Sequence, residues 1–524
     1  MNDPTTAAPP NPDAWSLHRL LEQAGLTPPE GADRPIGGLA FDSRRVEPGD
    51  LYLAMPGART HGAKFTGTAL AQGAVAVLTD AEGADVVRAE LGAAAVVPVA
   101  IADDPRRAMA ILAEVFHHHP SRRVPMFGVT GTNGKTTTVF LLEAALAALG
   151  RHVGTIGTLG FRLDGQPLSW TTSTVTTPEA PDLQELFDAM IGHGADTIAM
   201  EVSSHALALD RVAGTEFAVA GFTMLGRDHL DFHADLEDYF LAKASLFTST
   251  AATGVGCRHA VVCIEDDWGR RLAGMVTDRP LTTVGRGAGA DVRILSAVPH
   301  DYGQLVHLDL SGRDLQFLLP MPGDYNVTNA ALAVAMVHAA GLDACSAAAG
   351  LRHAVVPGRM QRVALDPPAP QVVVDFAHTP QAVSEALTAV RTPGRRIAVL
   401  GAGGDRDVEK RPQMGRAAAE KADVVVVTDD NPRTEDPALI RAGVLDGTRG
   451  LPAEVHEVAG RRAAITRALE LATARDVVLV LGKGHEQGQQ LADRVVPFDD
   501  VTVAQEAWQQ INAARTGAAG GGTG

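Results

Sequence analysis

Residues 124–150 read VPMFGVTGTNGKTTTVFLLEAALAALG. An apolar run of strand length meets a glycine-rich turn, and the chain continues at once with helical spacing. Few local arrangements satisfy that order. A buried strand whose end turns sharply into a helix belongs to an α/β sheet, with the turn at the sheet's carboxyl edge. The N–H groups at the start of such a helix carry partial positive charge and attract phosphate oxygens. Lys135 stands at the helix start, where its ammonium would neutralise the outer phosphates of a nucleotide. Thr136 or Thr137 would offer a hydroxyl to Mg²⁺, and Gly131, Thr132, Asn133 and Gly134 complete the cradle. A turn that only capped a helix would have no use for the lysine. The glycines fall at 128, 131 and 134, with Val129 where the common phosphate-loop pattern has glycine.

With 524 residues the chain is too long for one core, and two to four domains are expected. Residues 15–123 mix short strands (51–55, 74–79) with a helix at 105–118. Residues 124–356 hold the glycine turn and further apolar strands at 197–202, 218–225 and 259–264. Residues 357–514 form a second series, with strands at 372–376, 396–401, 424–430 and 477–484 and helices at 411–422 and 462–474. Near-continuous apolar strands alternating with helices predict parallel sheets covered on both faces, the last a doubly wound domain. Residues 1–14 and 515–524 read as disordered tails.

Composition excludes several function classes. The formal net charge is −17, and no basic run is long enough for a nucleic-acid groove. The three cysteines, Cys257, Cys263 and Cys345, form no CxxC pair, which argues against a zinc site or disulfide framework and suits a reducing cytoplasm. No apolar run reaches roughly 18 residues, so no membrane span is expected. The start of the chain lacks the basic and apolar regions of a signal peptide.

Two further segments carry chemistry. Glu201 ends the apolar run TIAMEV, a poor place for a carboxylate unless a site needs it. RDHLDFH (227–233) follows another buried strand, and its His229 is the stronger site candidate than His233, while the histidines at 117–119 read as surface.

The run TGTNGKTTT resembles the form found in the Mur ligase superfamily, which implies ATP-dependent amide synthesis. That resemblance extends along the chain. DSRRVEPGDLYLAMPG (42–57) resembles the family's uridine-binding segment, with Ser43 at the contact position. TTP (176–178) and EVSSHAL with the later arginine resemble its UDP-sugar segments, implicating Thr176, Thr177, Ser203, Ser204 and Arg211. GDYNVTNAALAVA, PGRM and DFAHTP resemble its later motifs, implying ATP contacts from Asn326, Asn329, Arg359, Asp375 and His378. The implied fold is an N-terminal α/β uridine-binding domain, a central P-loop-type parallel-sheet ATPase domain and a C-terminal Rossmann-like domain.

The implied catalytic set is Lys135, Glu201, His229 and Lys243, with Thr136, Glu201, His229 and Lys243 holding Mg²⁺. In LAKASLF, Lys243 resembles the family lysine that CO₂ converts to a carbamate. The implied partners are UDP-MurNAc-L-Ala-D-Glu and diaminopimelate, handled by a cytoplasmic monomer without nucleic acid or membrane. DNPR at 430–433 resembles the form that accepts diaminopimelate, and the physics agrees: a guanidinium binds the extra carboxylate in a bidentate manner. Asp430, Asn431, Pro432 and Arg433, with Arg406, Gly482 and Glu486, form the implied amino-acid site.

The implied reaction forms an acyl phosphate that an amine then attacks, with domain closure excluding water. A lysine-adding ligase, a folylpolyglutamate synthetase and a catalytically impaired nucleotide-binding homologue are the rival readings. Met224, Gly226, Leu209 and Val175 depart from the family pattern, and these departures bear on fine substrate contacts.

Overall fold

The computed structural model describes residues 15–31, 33–57, 60–92, 97–170, 176–229, 232–249 and 256–520, the backbone alone for 515–520. The chain forms two compact units, Met1–Arg293 with Leu332–Ala347, and Ile294–Ala331 with Ala348–Gly524. The expected tail 1–14, the last four residues and Val175 lie outside the described residues.

After a short antiparallel pair, Trp15–Ser16 with Pro35–Ile36, unit 1 has four parallel strands, Gly38–Ala40, Asp50–Leu53, Ala76–Thr79 and Val99–Ile101, neighbours in that order. Leu51, Leu53, Ala76 and Leu78 enter one apolar core, while Tyr52 and Val77 enter another on the opposite face. That alternation is the period-2 signature of a strand buried on both sides. Residues 15–123 thus keep their own sheet and two cores, while Ala110 packs into the core of the next sheet.

The parallel part of the larger sheet of unit 1 runs in spatial order Val153–Gly157, Thr197–Glu201, Met126–Thr130, Glu216–Phe222, Gly256–Cys263 and Leu281–Gly285, and Gly160–Leu163 and Gln166–Pro167 extend it antiparallel beyond Val153–Gly157. Met126–Thr130 is the earliest of these in the chain and lies third. The chain passes to Val153–Gly157 on one side, returns to place Thr197–Glu201 in between, and then builds outward on the other side. The carboxyl end of Met126–Thr130 is therefore a topological switch point, where open α/β sheets leave a crevice for ligands. The Lys135–Ala147 helix starts there, after Gly134 in the left-handed region at φ 90°. The strand expected at 218–225 begins two residues earlier and ends at Phe222. Residues 223–226 leave the sheet because their backbone and the Thr223 hydroxyl hydrogen-bond the glycine turn instead.

In unit 2 an antiparallel pair, Gly303–Leu310 and Arg313–Leu319, precedes a six-stranded sheet. The sheet order is Gln361–Val363, Gln371–Asp375, Val477–Leu481, Arg396–Leu400, Val424–Val427 and Glu454–Glu457, and only the first strand is antiparallel. Val425 and Val427 pack into one core and Val424 and Val426 into the other, so this sheet is covered on both faces as the apolar runs predict. The Arg461 guanidinium meets the Asp500 carboxylate at 2.7 Å, both fully buried, at the start of the Asp500–Gly520 helix. That helix continues past 515, where the sequence suggested a tail; its alanines favour helical backbone. Among the described residues no helix is long and apolar enough to cross a membrane.

Candidate active site

The glycine turn is held from one side by residues 223–226. Thr132 N donates to Met224 O at 2.8 Å, Gly226 N to Thr132 Oγ1 at 2.9 Å, and Thr223 Oγ1 to Asn133 O at 2.6 Å. Met224 and Gly226 act here through backbone atoms. The hydrogen bonds that hold the turn there do not depend on their side chains. Gly131 has φ 142°, and a Cβ there would collide with Thr223 Oγ1. Lys135 Nζ donates to the carbonyls of Gly131 and Thr132, both at 2.9 Å, which folds its ammonium over the turn.

Glu201 ends its strand one sheet position away from the turn. Its Oε1 accepts from Thr136 Oγ1 at 3.0 Å and Thr158 N at 2.8 Å, and its Oε2 accepts from Thr158 Oγ1 at 3.2 Å. Three donors satisfy a carboxylate that is 1% exposed. The structure thus brings Lys135, Thr136 and Glu201 into one cluster, with Thr137 buried beside them.

Lys243 projects from the Leu236–Thr248 helix, fully buried, and donates to Gly131 O at 2.9 Å. Its Nζ lies 4.6 Å from the ring centre of Tyr239, whose hydroxyl is 3.2 Å from Thr132 Oγ1. Burial holds the Lys243 ammonium well below the usual lysine range, the nearby Lys135 charge adds to this, and Asp228 opposes it. His229 is different. It is exposed, has φ 54°, and sits edge-on to His205 with ring centres 4.9 Å apart. Leu230 and Asp231 of the same motif lie outside the described residues. His233 is buried and hydrogen-bonded through Nδ1 to Asp238 at 3.1 Å. Among the described residues no group of three or more His, Cys, Asp and Glu is arranged to hold a metal.

Of the residues assigned to the UDP-sugar, Thr177 Oγ1 donates to Glu201 O at 2.9 Å and accepts from Ser203 N at 3.2 Å. Arg211 donates to Thr177 O at 3.0 Å and pairs with Glu179 at 2.7 Å. Thr176 and Thr158 hydroxyls lie 3.1 Å apart, and buried Ser204 opens the short helix that Ser203 caps. The group is continuous with the Glu201 cluster. Ser43 is buried in the N-terminal segment, two residues before Arg45, which reaches Asp182 at 3.2 Å. Leu209 is a helix C-cap.

Unit 2 carries the remaining assignments. Asn326 Nδ2 donates to Pro322 O at 2.7 Å, and Asn329 is buried on the same helix. Asp375 accepts from Met360 N at 2.7 Å and Ala377 N at 2.9 Å. Burial raises its pKa against the pull of the Arg359 charge, and Arg359 stacks over Phe376 at 4.5 Å. His378 hydrogen-bonds Phe376 O at 2.9 Å, and burial lowers its pKa.

The DNPR turn meets the 482–490 segment. Asn431 Nδ2 donates to Glu486 Oε2 at 2.8 Å. Arg433, at φ 53°, donates from Nη1 to Gly404 O at 2.7 Å and from Nε to Gln490 Oε1 at 3.0 Å. Arg406 and Arg433 both approach Gly403. Gly482, at φ 114°, lets Asp430 come close: a Cβ there would lie 2.6 Å from Asp430 Oδ2. Burial raises the Asp430 pKa, opposed by Arg461 and Lys483. The sequence reading missed Thr158, Tyr239, Lys483 and Gln490. For Lys483 the only signal was its place in GKGHE, three residues before Glu486.

The chain is similar to known proteins over most of its length. Three family profiles match successive segments: "Mur ligase family, catalytic domain" at 35–117, "Mur ligase middle domain" at 129–337 and "Mur ligase, glutamate ligase domain" at 358–484. The UDP-N-acetylmuramoyl-L-alanyl-D-glutamate--2,6-diaminopimelate ligase of Streptomyces coelicolor is 45% identical, over 96% of this chain and 99% of its own. The protein of the same name from Corynebacterium glutamicum is 43% identical, over 89% of this chain and 91% of its own. A solved structure of a ligase with this name superposes with TM-score 0.69 at 29% identity, over 95% of this chain and 99% of that one. With matching profiles in order along the sequence and relatives of this identity over nearly its full length, the chain belongs to the Mur ligase family.

Proposed function

We propose that this protein catalyses the ATP-dependent ligation of diaminopimelate to the D-glutamyl side-chain carboxylate of UDP-MurNAc-L-Ala-D-Glu. The observation that carries this reading is the near-full-length similarity to ligases of that name, joined to the Arg433 guanidinium in the DNPR turn. The carboxylate attacks the γ-phosphorus of ATP; ADP leaves and an acyl phosphate forms. An amine of diaminopimelate then attacks the acyl carbon, and the tetrahedral intermediate collapses to amide and phosphate. Lys135 and the N–H groups of residues 131–137 bind the phosphates and offset charge on the transferring group. Thr176, Thr177, Ser203, Ser204 and Arg211, with Ser43, orient the UDP-sugar peptide. Asn326, Asn329, Arg359, Asp375 and His378 serve the nucleotide. The functional division is 15–123 for the UDP-sugar, 124–356 for ATP and 357–514 for the amino acid.

Mg²⁺ fits the oxygen donors at the turn. Thr136 and Glu201 supply a hydroxyl and a carboxylate, and Mg²⁺ takes few protein ligands. When bound it would offset phosphate charge. The Lys243 amine fits a carbamate: only an unprotonated amine adds CO₂, burial favours that form, and Lys135 would stabilise the anion. His229 would join from the 227–229 segment. The enzyme acts in the cytoplasm as a monomer, without nucleic acid or membrane.

The test is phosphate release with ATP, Mg²⁺, bicarbonate and UDP-MurNAc-L-Ala-D-Glu, with diaminopimelate or lysine added separately. Release with diaminopimelate alone is expected, and Arg433→Lys should lose most of it. Release with lysine instead would overturn the choice of amino acid.

A further inference from the structure

Lys483 is fully buried beside the DNPR turn, 0% exposed in the segment that follows the Val477–Leu481 strand. Its Nζ donates to Asn431 Oδ1 at 2.9 Å and to Glu486 Oε2 at 2.8 Å, and lies 3.7 Å from Asp430 Oδ1. Gln490 N also donates to Asn431 Oδ1, at 2.9 Å. These bonds settle which way the Asn431 amide points. Its oxygen takes two donors, so its nitrogen must face Glu486. Glu486 Oε2 is then occupied twice, by Lys483 and Asn431. Its other oxygen, Oε1, accepts no hydrogen bond among the described residues and keeps the carboxylate's capacity for an ammonium.

We propose that Lys483 is a positioning residue for amino-acid recognition, locking Asn431 and Glu486 into the one arrangement that presents a carboxylate oxygen and an amide N–H side by side. This pair of groups matches the ammonium and carboxylate of an amino-acid head. The inference rests on the ligase reading above and deepens it. A buried ammonium also balances charge: Lys483, together with Arg461, offsets the Asp430 and Glu486 carboxylates, and its removal would weaken the pull that holds Glu486 ionised. A protonated Glu486 would lose its attraction for the substrate ammonium. Lys483 acts through Asn431 and Glu486, so its removal should affect the affinity of one substrate out of three.

Steady-state kinetics of Lys483→Met separate this from a general structural role. The expected result is a KM for diaminopimelate raised roughly tenfold to a hundredfold, with KM for ATP and for UDP-MurNAc-L-Ala-D-Glu within about twofold of wild type. In a double-mutant cycle, Lys483→Met and Glu486→Gln should be strongly non-additive on the diaminopimelate KM. Equal rises in all three KM values, an unchanged diaminopimelate KM, or additivity with Glu486→Gln would overturn the proposal. If Lys483→Met does not fold, Lys483→Gln, which keeps one N–H donor, is judged by the same three criteria. Wild-type turnover with a different amino acid would refute the diaminopimelate reading alone, and the KM for that amino acid would then judge Lys483. Absence of any amino-acid-dependent turnover in the wild type would overturn both.

Discussion

Lys135 and Lys243 show how one residue type takes two roles from two environments. Lys135 lies over the glycine turn, bonded to two of its carbonyls, in reach of any phosphate held there. Replacing it with Ala should lower amino-acid-dependent phosphate release by about 10³-fold or more, with the fold intact by circular dichroism. Turnover near the wild-type level would remove Lys135 from the chemistry. Lys243 is buried, and its amine is held toward the neutral form. Stripping bicarbonate and CO₂ from the buffer should therefore reduce activity, and adding bicarbonate should restore it. Labelled bicarbonate should give a carbamate carbon resonance that is missing in Lys243→Arg. Failure to see that signal in active protein would count against the carbamate. The sequence marked both lysines, because glycine spacing and motif context survive in one dimension. It did not mark Lys483, whose significance lies in two acceptors, one of them 52 positions earlier.

At the scale of elements, the glycine turn exists because a strand, a helix and the 223–226 segment agree on one backbone path. Gly131 at φ 142° has no room for a side chain, since Thr223 Oγ1 occupies the place of a Cβ. Gly131→Ala should therefore weaken nucleotide binding sharply and destabilise the protein by about 2 kcal/mol or more, read by titration with an ADP analogue and by thermal melting. A variant that bound nucleotide normally would show the turn to be plastic. Run length and flanking turns told strand from helix for the runs singled out in the sequence, while the strands Gly303–Leu310 and Arg313–Leu319 went unread. Where a strand stops was not legible: residues 223–225 are as apolar in pattern as those before them, and only the competing hydrogen bonds of the turn draw them out of the sheet.

For the whole molecule, acid sensitivity should come from both units. His117 in unit 1, which reads as surface in the sequence, is partly buried, and burial pushes it down to about 4, as it does His485 in unit 2. A folded pKa below the unfolded value means that the native state binds fewer protons. The stability is fully present above the ordinary histidine pKa and is lost as pH falls through the folded one, here between about pH 6.5 and 4. Each group contributes at most about 3 kcal/mol, and less because both are only partly buried. Melting should occur at lower temperature at pH 5 than at pH 7.5, and His117→Gln should flatten that difference; an unaltered pH slope in the variant would refute the assignment. The sequence by itself determined the α/β class, the parallel sheets, the phosphate turn and the family, because apolar period and local glycine spacing are set by neighbours along the chain. The tertiary structure alone decided that Met126–Thr130 lies at the switch point, that Thr136 and Thr158 converge on Glu201, and that Lys483 bridges Asn431 and Glu486. Those contacts join residues tens of positions apart, and strand order and burial, which no local pattern encodes, bring them within hydrogen-bond reach.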